Sequence, residues 1–538
     1  MNPDTRPGGD IGVAPLVGYA EDEETQWLGA MFGKLLTEHL AGAGLPTRSY
    51  NAVAQQIAVS RQALPLNAAG VDALRSALSL YALVHGRFAR FDQDRMVGVQ
   101  IIISAPGVSS APLEVSFPAS GFGQFIERLT LALIERLNVP IDDALRQRIR
   151  AVPRPASFEA FRQTAQARAA WARGENELAL ASASSALALD PSYEEAATIE
   201  AAIARTANDT VTAQEAFRRW ARIAITRGHA DAGAERLMLL GHWLRERGEW
   251  PQAQQAYEEA RALYEQENDA LGAARALDNL AGLDLLAGRV QNAIKSYRRT
   301  LRLFESSSQT QRDAAITLFN LSLAHKRLGQ RDQASQALQQ AYALAEMLKE
   351  NGLLARCLAL RGALHDDTGE WDRAANDYEQ ALRLFDVLGD EVGMAIVRAH
   401  QALLLKRQGS YPQAESLLVQ ALAVLQNQPD PHEKAVACLN LADLYFSMGQ
   451  AEQAWPYIEQ ADAAFVRLGS AWREEAKELK QKLEEMLPGE QPATEARPSA
   501  APDSGSAAGS SSTQPQQTGA EGLYNADISY DNEGTIDL

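Results

Sequence analysis

From about residue 155 to residue 487, apolar and small side chains recur at helical spacing. Single glycines break the run at regular intervals: Gly248, Gly288, Gly329, Gly369, Gly409 and Gly449, separated by 40, 41, 40, 40 and 40 residues. Five positions after each stands an alanine (Ala253, Ala293, Ala334, Ala374, Ala414, Ala454). Twelve after stands Ala260, Thr300, Ala341, Ala381, Ala421 or Ala461. A larger residue occupies the ninth position (Tyr257, Tyr297, Leu338, Tyr378, Leu418, Ile458), and a small one lies seven before the glycine (Gly241, Ala281, Ser322, Gly362, Ala402, Ala442). Two helices joined by a glycine turn approach closely only where their side chains are small. The larger residue then fills the gap to the next pair. One pair cannot bury its apolar face alone, so the pattern predicts stacked helical hairpins.

An earlier interval, with Gly174, Ala179, Ala186 and the stop Asp190-Pro191, has a shorter form of about 34 residues. The 74 residues separating Gly174 from Gly248 leave room for one degenerate hairpin, turning near Asn208-Asp209 and including Ala213 to Phe217. That makes eight hairpins over 155–469. Trp472 to Met486 is charged at most positions and reads as the polar cap, over 470–487, that a stacked array needs at its end. The pattern resembles the tetratricopeptide repeat (TPR) family in its longer variant of about 40 residues. The resemblance implies a mainly α fold, a right-handed TPR α-solenoid, whose first helices line a concave groove for partner peptides.

The first 150 residues read differently. Ile11 to Val17 is a buried strand by its apolar run, and Gln26 to Ala41 has helical spacing that stops at Gly42-Ala43-Gly44. A short strand near Thr47 to Tyr50 and helices around 51–63 and 70–79 follow. Tyr81 to Phe88 and Met96 to Ser104 form a hairpin about Asp92-Gln93-Asp94; Leu113 to Phe117 is a further strand and Phe122 to Leu137 a closing helix. This small α/β domain, 10–150, resembles the TolB amino-terminal domain, which implies a module of the kind that precedes TPR arrays in bacterial signalling proteins.

Composition narrows the function. Hydrophobic residues make up 46% of the 538, enough for sizeable cores, and 51 basic against 69 acidic residues leave a net charge of −18. Such a chain is not built to coat nucleic acid, whose phosphates are held by Lys and Arg. Two cysteines, Cys357 and Cys438, exclude a disulfide framework and read as packing residues. The polar start, Met1 to Pro7, has no apolar signal core, and no apolar run reaches the roughly 18 residues of a membrane helix, so the expected location is cytoplasmic. No Walker loop, H-E-x-x-H, G-x-S-x-G or C-x-x-C occurs. Asp367-Thr368-Gly369 and His365-Asp366-Asp367 read as a glycine-capped helix end rather than a protease or metal motif. Ser120-Gly121-Phe122-Gly123 opens a helix, with Ser120 as its N-cap or the amides as an anion site. The expectation is a protein without enzyme activity, cofactor or metal.

The groove holds the candidate contacts. Nine positions before the glycines come Leu239, Asn279, Asn320, Leu360, His400 and Asn440. An asparagine amide both donates and accepts, so Asn279, Asn320 and Asn440, with His400, are expected to pair with an extended peptide backbone. Each asparagine can equally bond within its own turn. Arg275 and Arg356 lie thirteen before; Arg245, Lys326 and Lys406 lie three before; Arg327 and Arg407 lie two before. Helical geometry brings these offsets near one stripe, predicting a basic inner wall for acidic peptides, with Arg275, Lys326, Arg356 and Lys406 as the carboxylate contacts. Basic residues at helix C-termini also answer the macrodipole.

The chain carries an acidic segment of its own. After low-complexity sequence from Pro488, expected to be disordered, Glu521 to Leu538 has five acids and no Lys or Arg, interleaved with Leu523, Tyr524, Ile528, Tyr530, Ile536 and Leu538. A spacer of about 33 residues spans on the order of 30 Å as a random coil, enough to fold back. The expected function is therefore a protein-interaction scaffold, with its own tail 521–538 as one ligand. A regulatory or sensory subunit whose α/β domain binds a ligand or partner is the alternative.

Overall fold

The computed structural model describes residues 9–19, 23–91, 96–118, 121–206, 209–304, 310–429 and 431–487. The chain falls into two compact units that divide between His229 and Ala230. The expected docking peptide 521–538, the segment from Pro488 and Ser120 lie outside the described residues.

The first unit opens with a sheet. Strands β1 (Asp10–Val13) and β2 (Val17–Gly18) both run parallel to β3 (Leu80–Phe91), while β3, β4 (Met96–Ser104) and β5 (Leu113–Pro118) are successive antiparallel neighbours. Between β2 and β3 come α1 (Glu23–Gly42), α2 (Tyr50–Val59) and α3 (Ala68–Ala77); α4 (Phe122–Arg136) and α5 (Asp143–Ala151) follow β5. The two-residue period of a strand sorts the side chains. Ala82 and Val84 join Ile11, Val13, Val97, Val99, Ile101 and Ile103 in a core with α1 and α4, whereas Leu83 packs with Val53 and Ile57 of α2 and Val71 and Leu74 of α3. The strand expected near Thr47 shrinks to a single bridge with Ile11, because Ser49 already caps α2 by accepting the Ala52 amide. The sequence pattern missed α5, which starts on Asp142, whose carboxylate accepts the Leu145 amide at 2.7 Å.

Two helical hairpins belong to this same unit: α6 (Phe158–Ala172) with α7 (Asn176–Leu189), and α8 (Glu194–Thr206) with α9 (Thr210–Thr226). The change of composition near 150–155 is therefore no break in packing. Phe161 of α6 lies 4.8 Å from Phe32 of α1 and 4.9 Å from Phe122 of α4, ring centre to ring centre, so α6 completes the core of the sheet. Lys34 of α1 reaches Glu195 of α8 at 2.7 Å.

The second unit is a run of hairpins: α10 (Ala230–Glu246) with α11 (Trp250–Gln266), α12 (Ala270–Leu286) with α13 (Val290–Phe304), α14 (Gln311–Arg327) with α15 (Arg331–Leu348), α16 (Asn351–Asp367) with α17 (Trp371–Leu388), α18 (Glu391–Arg407) with α19 (Tyr411–Leu425), and α20 (Pro431–Ser447) with α21 (Ala451–Leu468). Helix α22 (Arg473–Met486) follows, burying Ala476, Leu479 and Leu483 while its charges face outward. Each turn glycine from Gly248 to Gly449 has φ between +68° and +79°, a region that side chains with a Cβ rarely adopt. The small residue seven before the turn sits under the large one nine after it: a Cβ on Gly362 would stand 2.7 Å from the Tyr378 ring, and one on Gly241 would stand 2.4 Å from Tyr257.

Leading helices lie against the next leading helix, α12 with α14, α14 with α16, α16 with α18 and α18 with α20, which places them on the inside of the bend. They are buried on most sides; α14 buries Asp313 to Thr317 and Phe319 to His325. A trailing helix such as α13 buries one stripe (Ala293, Ile294, Tyr297, Thr300, Leu301, Phe304). The coil also comes round on itself. The Trp250 ring lies 5.7 Å from His432, the Ala471 amide donates to the Leu286 carbonyl at 3.1 Å, and the Arg327 guanidinium lies 5.5 Å from the centre of the Trp472 ring. At this seam a Cβ on Gly248 would stand 2.3 Å from Leu468 and 2.8 Å from Pro431.

Candidate functional site

The leading helices of the second unit carry all eight residues singled out for peptide contact. Their basic members do not form an unmatched stripe. Arg275 pairs with Asp313 at 2.9 Å, Lys326 with Asp367 at 2.9 Å, Arg407 with Asp366 at 2.9 Å, and Lys406 with Asp443. Arg275, Lys326 and Lys406 each meet a carboxylate of the following leading helix and Arg407 one of the preceding, so the expected basic wall is neutralised at these rungs. The reason was in the chain: the acidic residues Asp313, Asp366, Asp367 and Asp443 lie on the same helices, within helical reach of the stripe. Arg356 is buried on α16.

The asparagines divide. Asn279 is buried, and its amide nitrogen donates to the Arg275 carbonyl at 3.0 Å, the bond within its own turn. Asn320 is 0% exposed, yet among the described residues neither its amide nitrogen nor its oxygen has a hydrogen-bond partner. Asn440 and His400 are half-buried, and His400 stacks on Tyr378 with ring centres 5.9 Å apart. Burial, with the Lys326 charge adding to it, pulls the His400 pKa down to about 3, so the ring is neutral. Lys326 of α14 and His400 of α18 thus act on one another across the inner face, two hairpins apart.

A buried polar cluster accompanies Asn320. Asp278 of α12 is 0% exposed; its Oδ1 accepts from the Thr317 hydroxyl at 2.8 Å, and its Oδ2 has no partner among the described residues. Burial, and secondarily Asp313, push its pKa up to about 8 against the Thr317 hydrogen bond. The Tyr297 hydroxyl is also buried and, among the described residues, without a hydrogen-bond partner, and burial pushes its pKa up. Sequence reasoning missed Asp278, Thr317 and Tyr297 in this role. Asp278 stands beside Asn279, and its interior position follows only from the contact of α12 with α14.

The first unit holds a cavity of about 610 Å³, lined by Leu35, Glu38, Ala41 and Gly42 of α1, Arg148 and Ala151 of α5, the following Val152 and Pro153, Tyr193, Glu194, Glu195 and Thr198 at α8, and His229. Burial and the negative charge of Glu195 raise the pKa of Glu38. None of these residues was singled out from the sequence for a site, because they come from three helices far apart in the chain.

The remaining motifs have structural settings. Gly369 ends α16 with φ +78°, and His365 lies 3.0 Å from Asp377. Gly121 is the N-cap position of α4. Cys357 and Cys438 are buried thiols. Among the described residues, no group of three or more His, Cys, Asp or Glu could hold a metal ion, and no helix is long and apolar enough to cross a membrane.

A family model described as tetratricopeptide repeat matches residues 233–306 and 272–347, and a second of the same description matches residues 435–464. These segments are tetratricopeptide repeats. The TPR segments contain Arg275, Asp278, Asn279, Tyr297, Asn320, Lys326 and Asn440, so the polar cluster lies within them. Among solved structures, the chain is similar to aspartyl phosphate phosphatase F from Bacillus subtilis (13% identity, 65% of this chain and 90% of that one, TM-score 0.43). It is also similar to a Rap protein complexed with competence and sporulation factor (12% identity, 68% and 93%, TM-score 0.42) and to pilF of Pseudomonas aeruginosa (21% identity, 42% and 92%, TM-score 0.30). No curated protein matches the chain in sequence.

Proposed function

We propose that this chain is a non-enzymatic scaffold that binds an extended peptide segment of a partner protein along the leading helices of its TPR unit. The observation that carries this reading is the asparagine position repeated along the leading helices as Asn279, Asn320 and Asn440, of which Asn440 is partly exposed. An amide both donates and accepts, so Asn440 can take both hydrogen bonds of an extended peptide backbone. His400, also partly exposed, lies on the same line, with Asn279 and Asn320 buried beneath it. Arg275, Lys326, Arg356 and Lys406 then serve acidic side chains by exchange: a ligand carboxylate replaces Asp313, Asp367 or Asp443 on its cation. The acidic segment 521–538 suits this role, because a flexible tether holds it at millimolar effective concentration, and the full chain would then be self-inhibited. In titrations of a synthetic 521–538 peptide, the chain ending at Pro488 should bind it, the full chain should bind it less, and Asn440→Ala should weaken it about tenfold. Absence of binding at high micromolar peptide, or binding unchanged by salt, would overturn the acidic-tail reading; full binding by the Asn440→Ala chain would overturn the backbone-pairing one.

A second reading, a regulatory or sensory subunit of a bacterial signalling system, is favoured by the cavity of the first unit. There the resemblance of residues 10–150 to the TolB amino-terminal domain implies a module that receives a ligand or partner.

A further inference from the structure

We propose that the cavity among α1, α5 and α8 binds a small organic cation, an amine on an apolar body, with Glu38 as its counter-ion. The inference rests on the ligand-binding reading of the first unit and is independent of peptide binding by the second. The volume, about 610 Å³, falls within the usual size of small-molecule sites. Leu35, Ala151, Val152 and Pro153 make an apolar wall, while three carboxylates, Glu38, Glu194 and Glu195, face one arginine and one histidine in the lining.

Two of those carboxylates are engaged. Glu195 accepts from Lys34 at 2.7 Å and from Arg168 at 2.8 Å, and Glu194 pairs with Arg227 at 3.1 Å. Glu38 differs. Its ionic neighbour is Lys34 at 3.9 Å, beyond hydrogen-bond distance, and that ammonium is already held by Glu195. The Glu38 side chain is 45% exposed, so a ligand can reach it. Tyr193 is 3% exposed and lines the cavity, and among the described residues its hydroxyl has no hydrogen-bond partner. The cavity thus presents an accessible carboxylate and an open hydroxyl at one side and aliphatic surface at the other. An ammonium satisfies both polar groups with charge-assisted hydrogen bonds, and its apolar body covers Val152 and Pro153. An anion would meet Glu38, the lining carboxylate with no cation within hydrogen-bond distance among the described residues, and an uncharged apolar molecule would desolvate it with nothing in return.

Calorimetric titration of the full chain with n-hexylamine, n-hexanol and hexanoate tests this. Hexylamine is expected to bind at millimolar concentration or below, and the other two at least about tenfold more weakly. Glu38→Gln should lower hexylamine affinity about tenfold or more. Val152→Trp, which keeps Glu38 but fills the cavity, should abolish binding and so separates the cavity from ion pairing at the surface. Circular dichroism confirms that both variants fold. Equal hexylamine affinity in either variant overturns the proposal. Tighter binding of hexanol or hexanoate overturns the cation assignment but not the ligand-binding reading; no binding of any probe at about 10 mM overturns both.

Discussion

Replacing Gly362 with alanine sets two physical effects of opposite sign against each other. In the middle of α16, alanine should stabilise by about 1 kcal/mol through helix propensity alone. The structure opposes this: the new Cβ would stand 2.7 and 2.8 Å from the Tyr378 ring and 3.2 Å from the Ala374 carbonyl oxygen. Ordinary contact begins near 3.4 Å, so ring and helix must part by several tenths of an ångström. Overpacking of this kind costs about 1–3 kcal/mol. Taking about 2 leaves a net loss near 1 kcal/mol. Two other repeats place alanine under a smaller residue, Ala402 with Leu418 and Ala442 with Ile458. In a Tyr378→Leu background the overlap should vanish, and the same Gly362→Ala change should then stabilise by about 1 kcal/mol. Urea unfolding of the four chains, followed by far-ultraviolet circular dichroism, measures the cycle, with an expected coupling of about 2 kcal/mol. The same sign of effect in both backgrounds would refute the argument that the glycine is there for the tyrosine.

Three further outcomes follow from the geometry. The coil seam is tested by comparing Gly248→Ala with Gly409→Ala: both residues have φ near +75° to +79°, but only Gly248 has neighbours within 4 Å. Both should lose about 1 kcal/mol to backbone strain, and Gly248→Ala about 1–3 kcal/mol more; equal losses would mean the seam contributes nothing. The raised pKa of Asp278, about 8 in the fold against about 3.9 unfolded, means the folded chain holds the extra proton between those values. Stability should therefore fall as pH rises through that window, by up to about 1.4 kcal/mol per unit. Asp278→Asn should flatten this slope, and an unchanged slope would contradict the buried protonated carboxyl. Lys326→Glu places like charges at the 2.9 Å contact with Asp367 and should lower stability by about 1 kcal/mol. Adding Asp367→Lys should recover most of the loss in thermal melts, and a double variant no better than the single one would count against the ladder.

Sequence alone determined the hairpins, their turns and their stacking, because those depend on side-chain size at fixed offsets, and size is written in each repeat. Gly241 under Tyr257 and Gly362 under Tyr378 are such positions. It also placed the sheet, whose two-residue alternation is local. Tertiary structure decided the rest. A basic residue's partner sits 37 to 41 positions away on a neighbouring leading helix, so Lys326 and Lys406 read as free cations until Asp367 and Asp443 come alongside. The interior fate of Asn320 and Asp278 depends on how tightly leading helices close on one another, the contact of Gly248 with Leu468 on how far the coil turns, and the cavity at Glu38 on three helices, α1, α5 and α8, far apart in the chain. Periodicity records what each helix does with its own neighbours; charge balance and enclosure are sums over elements, and only folding brings those elements together.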